Sequence, residues 1–249
     1  MNTKELENVL ERYLKLQTFP IGFKLVKEEK EIPEKARKFK NLTICQIYNL
    51  SRRYGWITYF DKNTSCPLGI IAYNFCEPDE LWKSGKLAKD AGYAENEAVG
   101  LEFEKVLPRL NERYLGCLVA PISRIDNPDF IVVYGSPAQI LRLVHASLFK
   151  RGGCLETCIL GRVACAEYLE AFIKNKPKFV LPCYGDRLFG LTQDWEVAFS
   201  FPFNMAEEIA RGLEETHSKG IRYPVPYTAL RVELPMIESY REAVERMRK

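Results

Sequence analysis

No stretch of the 249-residue chain approaches the ~18 consecutive apolar residues of a membrane-spanning helix. The opening Met-Asn-Thr-Lys-Glu-Leu-Glu also lacks the apolar core of a secretory signal, so a cytoplasmic location without membrane insertion is expected. Net charge is scarce. The 36 Lys and Arg against 33 Asp and Glu leave +3, too small an excess to drive binding to nucleic acid or acidic lipid. Only two histidines occur: His145 borders the apolar face Leu141, Val144 and Leu148 and reads as packed, while His217 falls in a polar turn. There is no Gly-x-Ser-x-Gly, no Gly-x-Gly-x-x-Gly and no Gly-x-x-x-x-Gly-Lys, which sets aside the common hydrolase and nucleotide-dependent classes. Low-complexity tracts are missing, and so is any Cys-x-x-Cys, the usual knuckle of a structural zinc site.

What is present is core-forming material. Hydrophobic residues make up 47% of the chain, with 14 Phe, 13 Tyr and 3 Trp, enough for one compact domain over 1–249 or two pseudo-equivalent halves, about 1–110 and 111–249. Helical spacing marks residues 4–16, 41–53, 79–90, 95–107, 137–150, 163–173, 205–216 and 237–248. Short β-branched or alternating runs mark strands at 21–26, 56–60, 117–122, 130–134, 157–160, 179–181 and 196–201. The charge-rich 27–40 reads as surface. The alternation predicts an α/β or α+β fold in which helices flank a mixed β-sheet. Gly135-Ser136-Pro137-Ala138-Gln139 has the pattern of a capping box, and its amides are an alternative anion site.

The cysteines carry the chemical signal. Eight are spread through a chain with no export signal, where thiols stay reduced, leaving filler, nucleophile or metal ligand as roles. Residues 45–66 run Cys, helix, Gly turn, strand, Cys-Pro-Leu-Gly; residues 165–183 run Cys, helix, Lys-Pro turn, strand, Cys-Tyr-Gly. The order is the same twice, as in an internally duplicated helix–strand unit. A short strand running back along its helix returns the chain near the helix start, so Cys45 is expected near Cys66 and Cys165 near Cys183. Cys45 and Cys165 would sit at helix N-termini, which favour the thiolate. If the halves face each other, the four sulfurs suit an iron–sulfur cluster such as [4Fe–4S], or less readily zinc. Cys117 reads as core, Cys76 as a fifth ligand or nothing, and Cys154-x-x-x-Cys158 as a weaker site.

Cys45-Gln46, Cys66-Pro67-Leu68-Gly69, Gly135 to Gln139, Cys165-Ala166 and Pro182-Cys183-Tyr184-Gly185-Asp186-Arg187, in that order, resemble the prokaryotic family named domain of unknown function 169, over about residues 10–230. The resemblance implies that Cys45, Cys66, Cys165 and Cys183 match motif positions, while Cys76, Cys117, Cys154 and Cys158 lie outside them. It brings no established activity. Similarity to families of archaea and anaerobic bacteria suits an oxygen-sensitive cofactor.

Two readings follow. In one, the four cysteines hold a metal or iron–sulfur cluster, with Gln46, Gln139, Asp186 and Arg187 binding a small anionic ligand and a redox protein or small molecule as partner. In the other, the chain is a metal-free small-molecule binding module or a thiol-dependent enzyme. Asp186 and Arg187 could equally form a surface ion pair.

Overall fold

A computed structural model describes residues 1–225 and 236–249. Its helices are α1 (Thr3–Leu14), α2 (Ile44–Tyr54), α3 (Pro67–Ala72), α4 (Glu80–Lys83), α5 (Lys86–Asp90), α6 (Glu97–Lys105), α7 (Pro137–Leu148), α8 (Ala164–Lys174), α9 (Tyr184–Leu188), α10 (Ala206–Ser218) and α11 (Glu238–Met247). The strands are β1 (Ile21–Val26), β2 (Arg37–Lys38), β3 (Thr58–Phe60), β4 (Gly116–Pro121), β5 (Phe130–Gly135), β6 (Lys178–Val180) and β7 (Val197–Pro202). They form one mixed sheet in the order β2-β3-β4-β1-β5-β7-β6, so the chain is an α/β protein with helices on both sheet faces.

Local chemistry fixes the helix starts. Asn2 with Glu5, Thr43 with Gln46 and Ser136 with Gln139 each close a reciprocal capping box, satisfying amide donors that no earlier turn can reach. The box at Ser136 accounts for the Gly135–Gln139 motif. Strand alternation then sorts the core. Phe130, Val132 and Tyr134 of β5 face α2 and α8, whereas Ile131 and Val133 face α1, α7 and α10.

Outward from the central antiparallel β1/β5 pair, the sheet continues as β4 then β3 on one side and β7 then β6 on the other. The path α2-β3-α3 followed, after a helical insert, by β4 recurs as α8-β6-α9-β7. One constant sequence offset relates Cys45 to Cys165, Tyr48 to Tyr168, the left-handed C-caps Gly55 to Asn175, and β3 to β6. β4 and β7 both end in proline, Pro121 and Pro202, and both pass into a short 3-10 turn. The first unit alone carries α4 to α6 between its second helix and its last strand.

Three expectations need correction. Residues 157–160 are not a strand: Thr157 Oγ1 donates to Phe179 O at 2.7 Å, but no backbone ladder forms along the β6 edge. The helix expected over 79–90 is broken at Gly85, whose φ of +75° and close approach to the Leu101 amide no side chain tolerates. Cys66 and Cys183 do not merely follow strands, because each caps a short helix, α3 and α9. Residues 226–230 of the family-like span lie outside the described residues.

Gly212 tests the layer packing. A Cβ there would stand 2.3 Å from Ala146 O across the α7/α10 crossing. G212V is expected to lower stability by about 1–3 kcal/mol through overpacking, read from the denaturant midpoint; an unchanged midpoint contradicts the crossing.

Candidate functional site

Four helix N-termini meet on the α2/α8 face of the sheet, each with a cysteine. Cys45 is the second residue of α2 and Cys165 the second of α8, while Cys66 caps α3 and Cys183 caps α9. All four belong to or pack against one core cluster, and three are only 7–9% exposed. Cys66, at intermediate exposure, is the least buried of the four.

The two capping cysteines occupy similar nests. The amides of Ile44, Leu68 and Gly69 face the Cys66 sulfur, and Gly69 N donates to it at 3.4 Å. The amides of Ala164, Gly185 and Asp186 lie around the Cys183 sulfur, but its side chain closes no capping hydrogen bond, which is where the two places differ. In each unit one donor is the first residue of the longer helix and two lie in the first turn of the short one. A Cβ at Gly69 would meet Ile44 Cδ1 at 2.3 Å and the Cys66 sulfur at 3.2 Å, so any side chain there would displace the Ile44 tip and crowd the thiol.

The sulfurs differ in acidity. Cys165 turns its thiol toward Cys66, and together with the amides this lowers Cys66 to about 7 against the opposing effect of burial. The same contact, with burial, raises Cys165 well above the usual thiol range. Burial pushes Cys45 up to about 12, although Thr43 Oγ1 lies 3.0 Å from its sulfur; Cys45 Sγ itself donates to Gly185 O at 3.5 Å. Burial also raises Cys183, opposed by the Ala164 amide. Position at a helix N-terminus therefore does not by itself make Cys45 or Cys165 acidic. Desolvation of the charged sulfur dominates at Cys45, and at Cys165 the hydrogen bond to Cys66 dominates, with desolvation behind it.

Beneath the sulfurs lies a buried polar chain. Asp186 is fully buried; one oxygen accepts from Tyr134 OH at 2.8 Å and Tyr168 OH at 3.1 Å, the other from Asn49 Nδ2 at 3.2 Å. Asn49 also donates to Cys45 O at 2.9 Å and accepts from Arg52 Nε at 2.8 Å. Arg52 forms a two-pronged pair with Glu196, at 2.7 and 3.2 Å, and stacks over Tyr134 at 3.9 Å. Burial raises the Asp186 pKa, opposed by the Tyr134 hydroxyl and the Arg52 charge. The surface Asp186–Arg187 pair does not form: Arg187 donates outward to Gln193 O and Glu196 O.

Gln46 spends its carbonyl on the Thr43 amide at 2.9 Å. Gln139 stands in the other helical layer, its amide nitrogen donating to Leu14 O and Lys15 O. Cys117 is core as expected, whereas Cys76, Cys154 and Cys158 are exposed and apart from this cluster. Sequence reasoning missed Tyr48, Tyr134, Tyr168, Asn49, Arg52 and Glu196. The available signal was Cys-x-x-Tyr, present at Cys45–Tyr48 and again at Cys165–Tyr168, a spacing that puts both side chains on one helix face.

The arrangement presents four thiols from two similar units, and a family model described as "Uncharacterised ArCR" (DUF169) matches residues 9–212. The chain belongs to this family. A relative from Methanocaldococcus jannaschii, the uncharacterized protein MJ0308, is 29% identical over 202 residues, covering 78% of this chain and 86% of its own. No solved structure matches the chain. Family membership names no reaction, so the chemistry is argued from the site. Among the described residues no three Cys, His or carboxylate groups stand as they would around a single metal ion. No helix among them is long and apolar enough to cross a membrane.

In reduced, metal-free protein, alkylation of Cys66 should rise through about pH 7, with Cys45 reacting only far above it. Peptide mapping after a short iodoacetamide pulse reads this. Four thiols reacting in parallel near their ordinary pKa would contradict the assigned contacts.

Proposed function

We propose that Cys45, Cys66, Cys165 and Cys183 together ligate an iron–sulfur cluster, most simply [4Fe–4S], in a reducing cytoplasmic setting. The observation that carries this reading is the repetition of the amide nest around Cys66 and Cys183, each beside its helix-borne partner Cys165 or Cys45. Thiolate ligands bring several negative charges into a site with little water, and inward-facing amides supply compensation without a counter-ion. Zinc is the less favoured occupant because the chain has no Cys-x-x-Cys knuckle of the kind that usually holds a structural zinc. A polynuclear cluster interposes its own iron and sulfide and accepts wider-set thiolates. Such a group supplies one-electron transfer to a redox partner, or a Lewis-acidic iron for a small molecule if one ligand is released. The chain's own contribution is to seat the sulfurs, exclude water and hold Asp186 beside them through three hydrogen bonds.

The contact between Cys165 and Cys66 supports a second, metal-free reading: a dithiol that becomes a disulfide by exchange with glutathione disulfide, whose S–S bond breaks as it takes up two electrons and two protons and leaves as two glutathione thiols. One experiment separates the two. Anaerobic reconstitution with iron and sulfide should give a brown protein holding about four iron and four sulfide per chain, and each single Cys→Ser change at the four positions should lower that content. Changes at Cys76, Cys154 or Cys158 should not. Protein that stays colourless and iron-free, yet forms a Cys66–Cys165 disulfide with glutathione disulfide, would replace the first reading with the second.

A further inference from the structure

The helical layer opposite the cysteines holds a separate concentration of unsatisfied polar groups. Arg142 leaves the middle of α7 and is 2% exposed. Its Nη2 donates to Leu213 O of α10 at 3.1 Å, while Nε and Nη1 are buried without a partner. Nδ1 of His145, one turn further along α7, and Nδ1 of His217, near the end of α10, are buried and unpartnered as well. His217 packs edge-on against Tyr13 of α1, with ring centroids 4.9 Å apart.

The charges acting on His217 are cationic, although the same helical layer also holds Glu7 of α1, one of whose carboxylate oxygens is buried without a partner. Arg12 lies over the Tyr13 ring at 5.6 Å, Lys15 caps α1, and Arg222 Nε donates to His217 O at 3.3 Å. Burial, then the charges of Arg222, Arg142, Arg12 and Lys15, hold the His217 imidazole below its usual pKa; burial and Arg142 do the same to His145. Among the described residues no carboxylate pairs with Arg142, Arg12, Lys15 or Arg222, or figures among the charges acting on either imidazole.

Helix ends explain part of this charge, because Arg12, Lys15, His217 and Arg222 sit near the carboxyl ends of α1 and α10, where cations offset exposed carbonyls. Arg142 is not so explained. Buried guanidinium groups are normally matched by an acid, and planar donors left open beside two imidazoles match the oxygens of a tetrahedral anion. We propose that Arg142, His145 and His217 form a binding site for a phosphate-type oxyanion, independent of the thiol pocket on the other sheet face. Arg12, Lys15 and Arg222 add attraction at its rim. An anion there returns charge balance to the imidazoles, so binding and imidazole protonation reinforce each other.

The chain's two histidines make the test direct, since their imidazole Cε1 protons give just two NMR signals to assign. Sulfate is the first probe, because its charge is constant across the imidazole range. Excess sulfate should raise both histidine pKa values, and its affinity should strengthen as pH falls through that range. R142Q should weaken sulfate binding by about tenfold or more. If R142Q fails to fold, the exposed double variant R12Q/K15Q supplies the same comparison, with a smaller loss expected. Inorganic phosphate and glycerol phosphate then show whether the group is taken free or as an ester, and binding of either supports the site. Histidine titrations indifferent to sulfate and phosphate, or a folded R142Q that binds sulfate as tightly as the native chain, would overturn the proposal.

Discussion

Backbone amides at helix N-termini are the constraint on which the surroundings of the clustered cysteines depend. A buried sulfur that must carry charge needs hydrogen-bond donors that move little, and the first turns of α3 and α9, with the first residues of α2 and α8, provide them. Those amides face the sulfurs only because the short strands β3 and β6 bring the chain back beside the starts of the helices that precede them. The sheet registers fix that return: Thr58 sits opposite Val119 on one side and Lys178 opposite Ser200 on the other.

Two similar units joined through the β1/β5 pair bring their four cysteines into a shared centre of the core, Cys45 donating to Gly185 O of the other unit and Cys66 facing Cys165. The shared centre also explains why the buried polar chain crosses between units. Asn49 and Arg52 come from the first, Tyr168, Asp186 and Glu196 from the second and Tyr134 from the joining strand β5, and the Arg52–Glu196 pair ties them in the interior. A buried pair of this kind costs desolvation, and its clearer value is to fix one relative placement of α2 against the strand and loop that carry Asp186 and Glu196. Asp186, three residues beyond Cys183, passes that placement on to the thiols.

Much of this was legible in the residues. The capping box at Ser136, the Gly turn after the helix of residues 41–53 and the twice-repeated Cys–helix–strand–Cys order located the α/β elements and the unit that carries the cysteines. What escaped was set by long-range packing. Asp186 beside Arg187 looks like a surface pair in sequence, yet Asp186 is fully buried because the tyrosines of β5 and α8 reach it. The helices begun by Cys66 and Cys183 are too short for periodicity to reveal. The acidity of Cys45 was misjudged because the helix dipole is visible in sequence and the desolvation that outweighs it is not. Gln139 resembled a site residue only through its place in a motif, whose full explanation is a cap and an anchor to the end of α1.

The central claim is that four sulfurs from two units act as one ligand set. Thiol footprinting by mass spectrometry, comparing anaerobically reconstituted protein with the same protein after iron chelation, addresses it most directly. The account predicts that Cys45, Cys66, Cys165 and Cys183 are protected together and released together, while Cys76, Cys154 and Cys158 label equally in both states. Protection confined to one pair, or labelling of the four that ignores iron, would contradict it.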